Sequence, residues 1–335
     1  MDMALVDLSL EQLQSYHPQI DEPDDFVDFW ADTLGEVEAL DLDPVFTPVD
    51  NSLSLIDTDD VVFTGYGGTR VRGWLHRPAG AVGPLPCVVQ YLGYSGGRGL
   101  AYTDTIYAQA GYAHLIMDTR GQGWAHGGVD PTPDDAPEAG LPHAPGFMTA
   151  GLDDPRRYYY RRVYVDAVRA LQAAQAHESV DGTRLLVTGA SQGGGLAIAA
   201  AGLAAAAGIP LLGCAPDVPF LCHFQRGIAL TDAKPYAEIT EYLAGWRDRA
   251  PAAARTLSYF DGANLGRRAK APALFSVALM DAVCPPSTVY AAYRRYGELD
   301  GRPTKQISVY PHNGHEGGGL YHLGTRLAWF AELLA

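Results

Sequence analysis

Cysteine is scarce in this chain of 335 residues: Cys87, Cys214, Cys222 and Cys284 are the four, and no C-x-x-C pair occurs. Cys87 and Cys214 lie inside apolar, strand-like runs, which predicts buried free thiols in a reducing compartment rather than disulfides. A cytoplasmic location is the matching expectation. Basic residues are also few, with 24 Lys and Arg against 39 Asp and Glu and a net charge of −15. That balance argues against nucleic acid as a partner, because phosphate binding needs Lys and Arg. It also disfavours strongly anionic substrates, unless a local basic pocket overrides the global field. No apolar run is long enough for a membrane span. The nearest, "GLAIAAAGLAAAAGIPLLG", is weakened by its Ala and Gly and reads better as a core helix followed by a strand. The opening residues, "MDMALVDLSLEQLQSYHPQIDEPDDF", are acidic and lack a basic stretch followed by an apolar one, so no secretory signal is expected. His315-Glu316 is followed by Gly317-Gly318-Gly319 and never completes H-E-x-x-H. Neither a G-x-x-x-x-G-K-[ST] loop nor a G-x-G-x-x-G fingerprint is present, so no metal and no nucleotide cofactor is expected. Internal repeats and low-complexity tails are missing as well.

What remains is the composition of a globular protein with a substantial core, 47% hydrophobic and 19% charged. A helix is predicted over "DDFVDFWADTLGEVEAL", with Phe26, Phe29 and Trp30 on one side. A hairpin follows in "DDVVFTGYGGTRVRGWLHRP", turning at Gly67-Gly68. Six short apolar runs then alternate with helical patterns: "PCVVQYLGY", "AHLIMDTRG", "RLLVTGAS", "LLGCAPDVP", "ALFSVALMD" and "QISVYPHNGH". Their near-continuous hydrophobicity suits strands covered on both faces. Among the helical patterns, "YYRRVYVDAVRALQAAQ" places Tyr160, Val163, Tyr164, Ala167, Val168, Leu171 and Ala174 on one stripe. The expected fold is therefore α/β, with a mostly parallel central sheet, an amino-terminal antiparallel hairpin and helices on both faces. Two stretches interrupt the rhythm: a Pro-, Gly- and Asp-rich loop at about 124–157, and helical, cap-like material at about 220–265.

Gly189-Ala190-Ser191-Gln192-Gly193 fits G-x-S-x-G between a predicted strand, "RLLVT", and a predicted helix. This is the context of a nucleophile elbow, whose sharp turn needs minimal side chains beside the serine. Glycines and a capping serine also make ordinary strand-to-helix turns. A serine hydroxyl needs a base to take its proton, and the base needs a third group to orient it. Asp281 ends the run "ALFSVALMD" where a strand should emerge at the edge that carries Ser191; Asp217, ending "LLGCAPD", is the rival, and Asp300 in "ELDGRP" is weaker. His315 stands in the glycine-flanked "HNGHEGGG", a loop able to swing an imidazole over the serine. His312 and His322 compete with it, and Glu316 either holds that loop or is simply solvated. The backbone N–H of Gln192 and one from "YLGYSGG", with Tyr94 as the expected donor, would form an oxyanion hole, although a plain βα turn suits the same glycines. Trp124, Phe220 and Tyr94 either shape an acyl slot or pack the core.

Arg120-Gly121-Gln122, the elbow around Ser191 and His315-Glu316 together resemble the three-part signature of the acetyl xylan esterase and cephalosporin-C deacetylase family, carbohydrate esterase family 7. "DVPFLCHFQRG", "PYAEITEYL" and "SYFDGANLGRRAKAPALFSVALMDAVCPPSTVYAAY" also look like it, so that nearly the whole chain is covered. The resemblance implies an α/β-hydrolase fold over residues 1–335 and removal of acetyl groups from small acceptors such as acetylated xylo-oligosaccharides and cephalosporin C. It implies Ser191 as nucleophile, Asp281 as acid and His315 as base, with the Tyr94 and Gln192 main chains as oxyanion donors. Arg120 and Gln122 would brace loops near the site. It further implies an intracellular hexamer, a dimer of trimers, and peracid formation in some members. Two positions depart from the family pattern, Leu92 where a histidine is common and Asn313 before the glycine. The remaining readings are a broader short-chain carboxylesterase, a peptidase of the same fold and a catalytically idle binding protein.

Overall fold

The computed structural model describes residues 6–135 and 146–335. In chain order the elements are α1 (Leu10–Ser15), α2 (Phe26–Glu38), β1 (Val45–Val49), β2 (Ile56–Thr64), β3 (Arg70–Pro78), β4 (Leu85–Tyr91), α3 (Ile106–Gln109) and β5 (Ala113–Met117). There follow α4 (Tyr159–Ala176), β6 (Val180–Ala190), α5 (Gln192–Ala204), β7 (Gly213–Asp217), α6 (Phe224–Leu230), α7 (Tyr236–Gly245), α8 (Ala250–Phe260) and α9 (Gly262–Leu265). The chain closes with β8 (Ala273–Ala278), α10 (Pro286–Arg295), β9 (Lys305–Tyr310) and α11 (Gly319–Leu334).

The nine strands of the described residues form one sheet in the order β1-β2-β3-β5-β4-β6-β7-β8-β9. From β5 to β9 neighbouring strands run parallel; β1, β2 and β3 join antiparallel at the other edge. The expected hairpin is β2–β3, and its turn is made where Gly67 and Gly68 take φ of +65° and +85°. β1 was not expected. Its sequence, VFTPV, is half-exposed and carries Pro48, which an edge strand tolerates because its outer N–H has no ladder partner.

Alternation along each strand divides the core in two. Val88, Leu186, Ala215 and Leu274 point to the side packed by Tyr107, Tyr112, Trp329 and Phe330. Their neighbours Cys87, Val89, Leu185 and Val187 point to the side covered by α2, α4 and α5. The central strands β4 to β8 are therefore buried on both faces over their middle residues, as their unbroken hydrophobicity predicted, whereas β9, expected to be covered likewise, lies at the edge of the sheet and is only half-buried. Helix α5 is buried along its whole length, so its Ala- and Gly-rich run is core. Among the described residues no helix is long and apolar enough to cross a membrane. All four cysteines are buried and free.

Four helices, α6 to α9, occupy the stretch between β7 and β8. No helix or extended strand occurs between Met117 and Tyr159 among the described residues, and positions 136–145 of the expected loop lie outside them. Parallel order brings the carboxyl ends of β4, β6, β8 and β9 to one edge. This is where loops of an open α/β sheet build a site.

Candidate active site

Ser191 sits between the last residue of β6 and the first of α5, at φ 57° and ψ −120°. A non-glycine residue holds such a conformation at a cost of about 1–3 kcal/mol and only when its surroundings enforce it. Here the main chain enforces it: the Ser191 N–H donates to Asp217 O at 3.0 Å, and Phe220 N–H donates to Ser191 O at 2.9 Å. A Cβ on Gly193 would stand 2.1 Å from Tyr91 O, and one on Gly189 would stand 2.5 Å from the Gly193 carbonyl carbon. The turn therefore closes only because both flanks are glycine. The hydroxyl is partly exposed, above a helix whose first turn has no acidic residue.

Asp281 and His315 meet directly. His315 Nδ1 lies 2.9 Å from Asp281 Oδ2, while Asp281 Oδ1 accepts the Val283 and Cys284 N–H groups at 2.8 Å each. The carboxylate is fully buried and held in one orientation; the imidazole remains about one third exposed. Backbone bonds tie the two loops together, Leu279 N–H donating to Tyr310 O and Met280 N–H to Asn313 O, both at 3.0 Å. Glu316 is exposed and accepts the Asn313 side-chain amide at 3.0 Å, so it holds the loop. Among the described residues no hydrogen bond joins Ser191 Oγ to His315. Cys284 Sγ, an Asp281 oxygen and a His315 ring nitrogen lie within 4.8 Å of one another. Such a donor set is close enough to hold a metal ion, but each Asp281 oxygen already has a partner, and burial pushes the thiol well above its ordinary pKa.

The competing residues point elsewhere. The Asp217 carboxylate accepts the Ser276 hydroxyl and faces Arg326, so only its main chain serves the elbow. Asp300 stands in the turn leading into β9, at the opposite edge of the sheet. His312 is exposed; His322 is buried in α11 with Nδ1 3.0 Å from the Tyr310 hydroxyl. Asp281 does not cap α10, whose first turn follows Pro285.

The Tyr94 and Gln192 N–H groups, the expected oxyanion donors, find no acceptor among the described residues. Gln122 braces both loops. Its Oε1 accepts the Ser95 N–H at 2.8 Å, and its Nε2 donates to Gln192 Oε1 at 2.9 Å. The Gln192 side chain also donates to Leu92 O and accepts the Tyr160 hydroxyl. Arg120 is buried deeper and grips both Asp166 oxygens at 2.6 and 2.8 Å, with Tyr66 O as a third partner. Burial opposes its charge, and the Asp166 and Asp134 carboxylates more than offset this, raising its pKa. Phe220 is core, packed 4.5 Å from the Tyr236 ring. Trp124 stands edge-on to Tyr94 at 5.5 Å and stacks on Phe147. Two participants escaped sequence reasoning. Cys284 carries no motif of its own, and Glu238, inside "PYAEITEYL", bonds the Tyr94 hydroxyl.

A sequence model of the acetyl xylan esterase (AXE1) family matches residues 3–333. The chain belongs to the acetyl xylan esterase family. Among solved structures, an acetyl xylan esterase from Paenibacillus sp. R4 shares 38% identity at a TM-score of 0.88, covering 97% of this chain and 99% of that one. Acetyl xylan esterase 1 from Thermoanaerobacterium sp. JW/SL YS485 shares 30% identity at a TM-score of 0.86, covering 98% and 100%. The acetyl esterase Axe7A of Xylanibacter ruminicola is 28% identical over 293 residues, 82% of this chain. This family member spans 61% of the length of that curated relative. Both the family read from the three motifs and the α/β-hydrolase fold it implied are borne out.

Proposed function

We propose that this protein is a serine esterase that removes acetyl groups from small acetylated alcohols. His315, oriented by Asp281, takes the proton of Ser191 Oγ as the oxygen attacks the acetyl carbonyl carbon. The Tyr94 and Gln192 amides hold the tetrahedral oxyanion. As that intermediate collapses, the ester C–O bond breaks, His315 protonates the departing alcohol, and acetyl stays on Ser191. Water then gives a proton to His315 and its oxygen to the acyl carbon, which releases acetate and restores the hydroxyl. The observation that carries this reading is the 2.9 Å contact of His315 with a buried, amide-anchored Asp281, beside a serine held in an elbow.

Acetylated xylo-oligosaccharides are the substrates the relatives' names favour, and cephalosporin C follows from the family resemblance. The same resemblance supports one α/β-hydrolase domain over residues 1–335, a hexamer built as a dimer of trimers, and a cytoplasmic location. Light scattering of the purified protein tests the assembly. The decisive assay for the chemistry pairs Ser191→Ala with fluorophosphonate labelling. Loss of acetyl ester hydrolysis and of labelling together is expected; full hydrolysis by the variant overturns the mechanism. A series of esters from acetyl to butyryl should show rates falling steeply after acetyl, and a preference for longer chains would move the assignment to a general carboxylesterase.

A further inference from the structure

Glu238 is a carboxylate buried in α7, 6% exposed, with no Lys or Arg in ion-pair contact among the described residues. Buried carboxylates without a cation are rare, because desolvation penalises the charge unless hydrogen bonds replace the lost water. Its partners converge on one side chain. The Tyr94 hydroxyl donates to the carboxylate, 2.9 Å from each oxygen. The same hydroxyl accepts the Gly146 and Phe147 N–H groups at 3.4 and 3.2 Å, and Met148 N–H donates to Glu238 Oε2 at 3.3 Å. The Tyr94 ring is thereby fixed at its far end, and Trp124 packs edge-on against it.

The near end of that ring is the main chain whose N–H the esterase reading makes an oxyanion donor. Residues 93–96 form no helix or strand; Gly93 and Gly96 flank the donor, and Ser95 has a φ of +72°. Gly96 N–H closes the turn on Gly93 O at 3.0 Å, and residues 95 and 96 pair with Ala125 and His126, so the ties made by the backbone lie on the carboxyl side of Tyr94. Gln122 holds the loop on one side by accepting the Ser95 N–H. On the other side the hold comes through the Tyr94 side chain, from a helix 144 residues away in the chain.

We infer that Glu238 is a positioning residue for the oxyanion hole, setting the Tyr94 amide through the Tyr94 hydroxyl and coupling helix α7 to the reacting carbonyl. This rests on the esterase reading and adds to it a residue that never touches substrate. An amide displaced by a fraction of an ångström still lets substrate bind. It loses bond strength toward the oxyanion, which forms only at the transition state.

The test compares Glu238→Ala, Glu238→Gln, Tyr94→Phe and the double variant Tyr94→Phe/Glu238→Gln, using p-nitrophenyl acetate and a trifluoromethyl ketone that forms a tetrahedral adduct on the serine. Glu238→Ala and Tyr94→Phe should lower kcat by about ten- to a hundredfold with KM changed less than threefold. Affinity for the ketone should fall by the same factor as kcat/KM. Glu238→Gln, which can still accept the hydroxyl, should recover part of the loss, and the double variant should be no worse than Tyr94→Phe. Glu238→Ala with parental kcat, a lower kcat with unchanged ketone affinity, or additive losses in the double variant each overturn the inference. Thermal melts show whether each variant is folded; should Glu238→Ala fail to fold, Tyr94→Phe with the same ketone readout decides. Hydrolysis surviving Ser191→Ala would instead remove the esterase reading itself.

Discussion

Replacing Asp281 by asparagine should disable the site through a proton in the wrong place, with hardly any change of shape. Oδ1 of Asp281 receives two backbone N–H groups, from Val283 and Cys284, at 2.8 Å each. An asparagine there must keep its carbonyl oxygen toward those donors, because turning the NH2 group to them would leave buried N–H groups unmet at about 1–3 kcal/mol each. The NH2 then faces His315 Nδ1, where Oδ2 stood 2.9 Å away, and donates to it. With its Nδ1 lone pair so engaged, the neutral imidazole carries its proton on Nε2 and has no lone pair there for the Ser191 proton. A triad forced into this tautomer loses roughly 10³–10⁴-fold in turnover, about 4–5.5 kcal/mol of transition-state stabilisation. Steady-state hydrolysis of p-nitrophenyl acetate at pH 8 measures it, with KM expected within threefold of the parent and the thermal melt within a few degrees. A folded Asp281→Asn protein that keeps a tenth or more of the parental kcat would refute the assignment of Asp281 and the orientation argued for its oxygens.

Two further outcomes follow from the core. Gly193→Ala places a Cβ 2.1 Å from Tyr91 O, a backbone atom that cannot swing away, so stability should fall by roughly 3 kcal/mol or more and Tm by roughly 5 °C or more; an unchanged melting curve in differential scanning calorimetry rejects the close approach. His76 is fully buried, and desolvation holds its ring at about 4 against an ordinary 6.5. Between those values the unfolded chain binds the extra proton, so the contribution of His76 is whole above pH 6.5 and is lost as pH falls through 4. At pH 5 the loss is roughly 2 kcal/mol. Urea unfolding at pH 7.5 and 5.0 should show His76→Gln losing less stability than the parent by about that amount, and equal losses would contradict the neutral, buried ring.

The fold was legible because its signals are local. Each parallel strand is a short apolar run between helical stripes, and Gly67-Gly68 marks a hairpin by its turn chemistry alone. β1 was not legible: VFTPV alternates weakly, contains proline and owes its strand form to pairing with β2. Within the site, Ser191 declared itself through the glycines on both sides. Asp281 and Asp217 did not separate so cleanly, since both end apolar runs at the same edge, Asp217 as the last residue of β7 and Asp281 just beyond β8. Only the direction of each carboxylate, toward His315 or toward Ser276, distinguishes them. Glu238 and Cys284 reach the site by packing between distant segments, which no spacing along the chain encodes.

The bonds from Leu279 to Tyr310 and from Met280 to Asn313 carry the pairing of β8 with β9 past the ends of both strands. The gap between Asp281 and His315 is thus gauged by peptide groups, whatever side chains stand beside them. The side chain at position 313 takes no part in that bond, so the spacing of the Asp281 and His315 loops is inherited from the sheet. Substitutions along the rim of these loops can therefore leave the Asp281–His315 contact beneath them in place.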